Sequence, residues 1–224
     1  MSGENPFYPL ARRCVQALGE SQWTGDETTT APGVDPELVG RARAGDERAL
    51  EELLLEITPR VFRLALRLSS DARIAEEIVN EALYRGSVRL HGLREERAVG
   101  AWFAGIAVNL WRDRLRRKER RRSRREVSID DVAEPLAPLD SQPESRATTS
   151  ELRDEVARAL SRLPPLQRAV MALRVDADLD IEETAQVLGT TAERVKANLW
   201  HARKRLKETL GNRVTDRRMR GERK

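Results

Sequence analysis

The sequence predicts an all-α chain of two small helical domains joined by a flexible linker. Apolar residues recur at steps of three and four from Asp35 onward and again from Leu152. Between these stretches, residues 127–149 carry Pro135, Pro138 and Pro143 among scattered Asp, Glu, Ser and Thr, with no periodicity. No alternating run long enough for a strand occurs. With 35% charged and 4% aromatic residues in 224, two modest cores fit better than one thick one.

Residues 1–33 hold Pro6, Pro9, Gly19, Gly25, Thr28-Thr29-Thr30 and Pro32-Gly33, which predicts a disordered extension with room for a short helix around Leu10–Leu18. Asp35-Pro36 offers an N-cap followed by proline at the first helical position. Leu50, Leu53, Leu54, Ile57, Val61, Leu64, Ala65 and Leu68 make an amphipathic run, in which Thr58-Pro59 predicts a kink or a new start. A third helix over roughly Ala72–Leu90 turns Ile74, Ile78 and Val79 inward. A fourth begins near Ala98 and passes Trp102, Phe103, Ile106, Leu110 and Leu115 into a basic segment. These form the first domain, residues 34–126.

After the linker, Leu152, Val156, Leu160 and Leu163 resume the helical pattern until Pro164-Pro165, whose second proline can open a helix with Leu166, Val170 and Leu173. Asp180 and Glu183 then sit at capping-box spacing before Ile181–Leu188, which ends at Gly189, where a left-handed residue is wanted. Thr190 or Thr191 caps the last helix, which buries Val195, Leu199, Ala202, Leu206 and Leu210. This second domain spans 150–211, leaving 212–224 as a basic tail.

The net charge of +4 hides an asymmetry. Arg112–Arg125 carries ten basic and two acidic residues, a local charge of +8, which leaves −4 for everything else. Such a patch suits a polyanion. On the same helix Trp102, Phe103 and Trp111 lie close to Asn109, Arg112 and Arg116, the stacking, edge-bonding and phosphate-neutralising groups that an unpaired base requires. Trp102 divides evenly between core packing and such a platform, whereas Phe103 reads first as core. In the second domain, a short helix, a glycine turn and a longer basic helix make a helix-turn-helix, with Arg194, Lys196, Asn198, His201, Arg203, Lys204 and Arg205 on outward positions.

Other chemistries fare poorly. Two histidines, His91 and His201, and one cysteine, Cys14, offer no nucleophile constellation or metal-ligand pair, so neither enzyme nor cofactor is expected. Asp176, Asp178 and Asp180 begin like a calcium loop, but Ile181 and Val187 occupy the glycine and final glutamate positions. No membrane span or secretory signal is read, and Cys14 suits a free thiol in a reducing cytoplasm.

In order and spacing, these segments resemble the sigma-70 superfamily in its two-domain extracytoplasmic-function branch, from about Asp35 to Leu210. ERALEELLLEITPRVFRLALRLSSD is similar to the family's opening helices, and ARIAEEIVNEALYRG to its polymerase-binding helix. AWFAGIAVNLWRDRLRRKERR resembles the helix that recognises and opens the −10 element. ALSRLPPLQRAVMALR with IEETAQVLGTTAERVKANLWHARKRL resembles the helix-turn-helix that reads the −35 element. The two domains would then be sigma regions 2 and 4.

The resemblance implies a non-enzymatic, cytoplasmic subunit of RNA polymerase. Glu77, Ile78, Asn80 and Glu81 would dock on core polymerase, at the β′ coiled coil, with β a further contact. Trp102, Asn109, Arg112, Arg116 and Arg117 would hold the melted −10 strand, and Thr191, Arg194, Lys196, Asn198, His201 and Arg203 the −35 duplex. An anti-sigma factor is a further candidate partner. The chain departs from the common pattern at Glu77, Asn80, the Ala197-Asn198 pair, Trp200 and His201. The implied mechanism is a two-point clamp on one promoter, with little binding when polymerase is absent. Two alternatives are a stand-alone helix-turn-helix regulator, and an RNA or anionic-membrane binder using only the Arg112–Arg125 patch.

Overall fold

A computed structural model describes residues 34–125 and 155–221, leaving aside the side chains of 122, 124, 125 and 212–221. Among these residues there are helices and turns and no strand. The first body contains α1 (Pro36–Arg43), α2 (Glu47–Ser69), α3 (Ala72–Arg89), two short 3₁₀ turns (Leu90–Gly92 and Glu96–Ala98) and α4 (Val99–Arg125). The second contains α5 (155–161), α6 (Pro165–Val175), α7 (Ile181–Leu188) and α8 (Ala192–Gly221). Residues 1–33 and the 127–149 linker lie outside the described residues.

Aspartates open the first three helices. Asp35 accepts the Glu37 N–H at 3.0 Å, Asp46 those of Arg48 and Ala49 at 3.0 and 3.1 Å, and Asp71 that of Ile74 at 3.0 Å. Each satisfies N–H groups that a helix start leaves without an internal partner. Proline follows Asp35 at the first turn, as its sequence position predicts.

Pro59 does not start a new helix. It lies inside a continuous helix of 23 residues. The expectation fails because Pro59 stands on the partly exposed side, one turn beyond exposed Leu55, while Leu53, Leu54, Ile57, Val61, Leu64, Ala65 and Leu68 pack into the core. Each of these leucine, isoleucine and valine side chains stabilises by about 1.5–3 kcal/mol when fully buried, so together they outweigh the roughly 3 kcal/mol cost of a helix-interior proline. Thr58 adds a bond from its hydroxyl to the Leu54 carbonyl at 2.5 Å.

Helices α2, α3 and α4 share the first core, in which Ile78, Val79, Leu83, Phe103, Ala107 and Val108 are buried; Ile74 is only partly so. Phe103 reaches this core because Gly86 leaves room on α3. Arg43 ties α1 to the loop after α3, donating to the Leu93 carbonyl at 3.0 Å and pairing with Glu96 at 2.7 Å.

In the second body α7 and α8 form the helix-turn-helix, braced by α6. Asp180 and Glu183 make a full capping box, each side chain accepting the other's N–H at 2.7 Å. Gly189 closes α7 at φ 62°, a conformation without steric penalty for glycine. Of the two threonines offered as caps, Thr191 accepts the Arg194 N–H at 3.3 Å. Leu160 and Leu163 pack with Ala202 of α8. Helix α8 continues to Gly221, through positions read from sequence as the start of a tail.

The bodies touch. α2 packs on α6 and α4 on α7, so one apolar cluster runs from Val34 to Leu199.

Candidate nucleic-acid interface

The side of α4 facing away from the core carries four of the five predicted −10 residues, all but Arg112. Ala104, Ala107, Val108 and Trp111 face inward, which at about 100° per residue turns Trp102, Asn109, Asp113 and Arg116 to the opposite side. The fourteen steps from Trp102 to Arg116, at 1.5 Å rise each, give this strip a length of about 21 Å. Asn109, Arg116 and Arg117 are exposed, and Trp102 is half-buried. Its indole stands edge-on to Phe103, with ring centroids 5.2 Å apart and planes at 79°. Phe103 therefore belongs to the core and backs Trp102, which keeps one side open. Asp113 bonds Arg116, and its carboxyl is held below the usual range first by that bond.

Arg112 lies off this strip. Its guanidinium donates to the Leu188 carbonyl at 3.2 Å, at the end of α7, and partial burial lowers its pKa. Trp111, grouped with the strip from sequence, is buried beside it at the seam between the bodies.

On α8 the predicted −35 residues do not form one face. Val195, Leu199 and Ala202 point inward. Thr191, Arg194, Asn198 and His201 lie along one flank, with the Asn198 amide donating to the Arg194 carbonyl at 2.7 Å. Lys196 and Arg203 lie along the other flank, exposed. Ala197, Trp200 and Lys204 occupy the crest between them.

On α3, Glu77 is exposed and Glu81 half-exposed, whereas Ile78 is 1% exposed and Asn80 8% exposed, facing the core. Glu77 pairs with Arg73 at 3.5 Å and with Arg114 of α4, and Glu81 pairs with Arg85 at 2.6 Å. Tyr84 and Val88 continue the exposed side. Among the described residues no group of histidine, cysteine and carboxylate side chains is arranged for a metal, and no helix is long and apolar enough to cross a membrane.

Comparison with known proteins places a family on this geometry. The description "Sigma-70 region 2" matches residues 53–121, and "Sigma-70, region 4" matches 153–206. The ECF RNA polymerase sigma factor SigM of Mycobacterium tuberculosis (strain H37Rv) is 31% identical over 179 residues, covering 79% of this chain and 85% of that protein. The chain belongs to the ECF sigma factors of the sigma-70 family. Its function is thus to direct RNA polymerase to promoters. The RNA polymerase sigma-H factor of Pseudomonas aeruginosa is 26% identical over 79% of this sigma factor and 93% of its own length. In fold, the sigma factor is similar to RpoE of Bartonella quintana, solved with the anti-sigma factor NepR: TM-score 0.57, 24% identity, 72% of this chain and 96% of that one. It is also similar to CnrH, solved with the cytosolic domain of CnrY: TM-score 0.58, 22% identity, 80% and 97% covered.

The fold gives several residues of this sigma factor surroundings that the sequence does not assign them. Trp200 is 59% exposed on the crest of α8, with the Lys204 ammonium 5.3 Å from its ring centroid and His201 edge-on at 4.8 Å. The sequence signal is a tryptophan followed closely by Arg203, Lys204 and Arg205; its exposure is decided by the fold. Arg67, Arg168 and Asp176 meet between the bodies, a position that helical periodicity does not encode. Asp176, the first aspartate of the calcium-like run, faces Arg67.

Proposed function

We propose that this sigma factor reads the −35 element as duplex with α7 and α8, and captures the melted −10 strand on the outer strip of α4. The observation that carries the reading is that strip: Trp102, Asn109 and Arg116 on one side of a helix whose other side is core. Stacking on an aromatic is worth about 1–3 kcal/mol per base, enough to offset much of the cost of unstacking one. Arg117 and the basic run behind it would neutralise phosphates, while Arg112 becomes available only after leaving the Leu188 carbonyl. On α8, Thr191, Arg194, Asn198 and His201 would meet one edge of the major groove, and Lys196 and Arg203 the phosphates on the other.

The β′ and β subunits of core polymerase are the proposed protein partners, engaged through Glu77 and Glu81 at the surface, with Ile78 and Asn80 holding α3 in place from beneath. Residues 34–126 would act as the region 2 domain and 150–211 as region 4, with 127–149 between them. Residues 126–154 could span roughly 100 Å when extended, which lets the two grips separate on one promoter. The chain would work in the cytoplasm, make and break no bond, and accept an anti-sigma factor as regulator.

The test is transcription in vitro from a random promoter library with purified core polymerase. The expected result is a shared pair of upstream elements enriched only when the full chain is present. Salt-sensitive binding to one duplex without polymerase, and no start-site selection with it, would overturn the proposal.

A further inference from the structure

The outer side of α2 carries an apolar stripe that stands open among the described residues. Leu55, Pro59 and Leu66 share one side of the helix, opposite Ile57, Leu64 and Leu68 of the core. Leu55 is 44% and Leu66 39% exposed, with Pro59 partly exposed between them. At 1.5 Å rise per residue the stripe is about 17 Å long. Its first half lies among acidic groups. The stretch Glu47–Glu56 holds four glutamates and one arginine, a net −3, and all five are exposed. Glu52 pairs with Arg41 at 3.8 Å, while among the described residues Glu47, Glu51 and Glu56 have no ion pair.

We propose that residues 10–18 of this same chain dock on the stripe as a short helix, with Leu10, Cys14 and Leu18 on the leucines and Arg12 and Arg13 toward the glutamates. The inference concerns the first body alone and does not rest on the promoter reading.

Spacing, charge, reach and size select this occupant. Leu10, Cys14 and Leu18 recur every four residues, the spacing of one helical side, and span about 12 Å, which fits within the stripe. Arg12 and Arg13 supply the positive charge that the unpaired glutamates lack. Residues 19–33 join the segment to Val34, which is 7% exposed just before α1, itself packed along α2. Extended, those fifteen residues reach roughly 50 Å, more than the length of α2 at about 35 Å, so every point of the stripe is accessible. Size argues for a tethered partner over a free one. A stripe of this length and one helix in width covers roughly 200 Å², well below the ~800 Å² per partner of a stable complex. A segment held by a short linker needs far less, because its effective concentration is on the order of millimolar.

Cys14 is the chain's one cysteine, so its reaction with a soluble maleimide reads docking directly. The full chain is used, without polymerase. Each rate is divided by that of the same chain unfolded in urea, which removes the effect of neighbouring charges on the thiol. The wild type should react about tenfold more slowly than Leu55→Asp/Leu66→Asp, as expected with about nine parts in ten docked. Arg12→Glu/Arg13→Glu, which leaves the described residues untouched, should also speed the reaction. Circular dichroism checks that the aspartate variant keeps its helices; if it unfolds, the arginine reversal carries the test. Equal rates in the wild type and the folded variants overturn the proposal. So does protection that grows with chain concentration, which marks a second copy, or protection that appears only with core polymerase, which marks that partner instead.

Discussion

Gly86→Ala is expected to destabilise this sigma factor, although alanine is the better helix former. In an exposed helix interior the change stabilises by about 1 kcal/mol. At Gly86 the added Cβ falls among the ring atoms of Phe103, with Cζ at 2.5 Å and Cδ1 at 2.9 Å. The ring has nowhere to retreat, being fully buried with Trp102 edge-on at 5.2 Å. Overpacking of this kind costs about 1–3 kcal/mol. With three ring atoms under 3.0 Å the upper end applies, so the net loss is about 2 kcal/mol. For a chain of this length, that lowers Tm by about 4–8 °C. Gly105 on α4 is the control, because a Cβ there meets nothing within 4 Å. Thermal and urea unfolding followed by circular dichroism should show Gly105→Ala raising stability, Gly86→Ala lowering it, and Phe103→Leu recovering part of the loss. If both glycine variants gain stability alike, Phe103 does not occupy the space that Gly86 provides, and its support of Trp102 fails with it.

Trp102→Ala should weaken open-complex formation by about 5- to 150-fold, the worth of one stacked base, while leaving polymerase association intact in a pull-down. Arg203→Ala should weaken −35 duplex binding similarly across sequences and reduce its salt slope by about one, as read by titration at several ionic strengths. Asp180→Ala removes half of the capping box and should cost about 0.5–2 kcal/mol in urea unfolding. Asp176 supplies a pH test. Burial raises its pKa more than Arg67 lowers it. Its contribution to stability is therefore fully present below the unfolded value of about 3.9 and declines as pH rises through the higher folded value. Relative to Asp176→Asn, which does not titrate, the wild type should lose stability across that window; a difference flat in pH or rising with it would contradict the burial. Losing Arg67 alone, by Arg67→Ala, should cost about 3–5 kcal/mol at neutral pH, whereas an apolar pair in place of both should be near neutral.

Helix type, order and ends were legible because they are local. Asp35-Pro36, Asp180 with Glu183, and Gly189 each state a cap or a stop within four residues, and the structure uses them so. The spacing of Leu53, Ile57, Leu64 and Leu68 likewise names a buried face before any partner helix is known. Pro59 starts no new helix because its cost is local while the compensation comes from the bundle around it. Ile78 and Asn80 were grouped with Glu77 and Glu81 by adjacency in the chain, yet successive helical residues turn by about 100° and face different surroundings.

The sequence by itself determined that the chain is helical, where most helices begin and end, and that its positive charge gathers behind an aromatic-rich helix. These follow from hydrogen-bond geometry and side-chain spacing over a few residues. Only the tertiary structure decided that Phe103 fills the gap left by Gly86, that Trp200 stands at the crest of α8, and that Arg67 meets Asp176. Those pairings join positions far apart in the chain, and their energies depend on distance and desolvation in three dimensions, which a one-dimensional pattern does not carry.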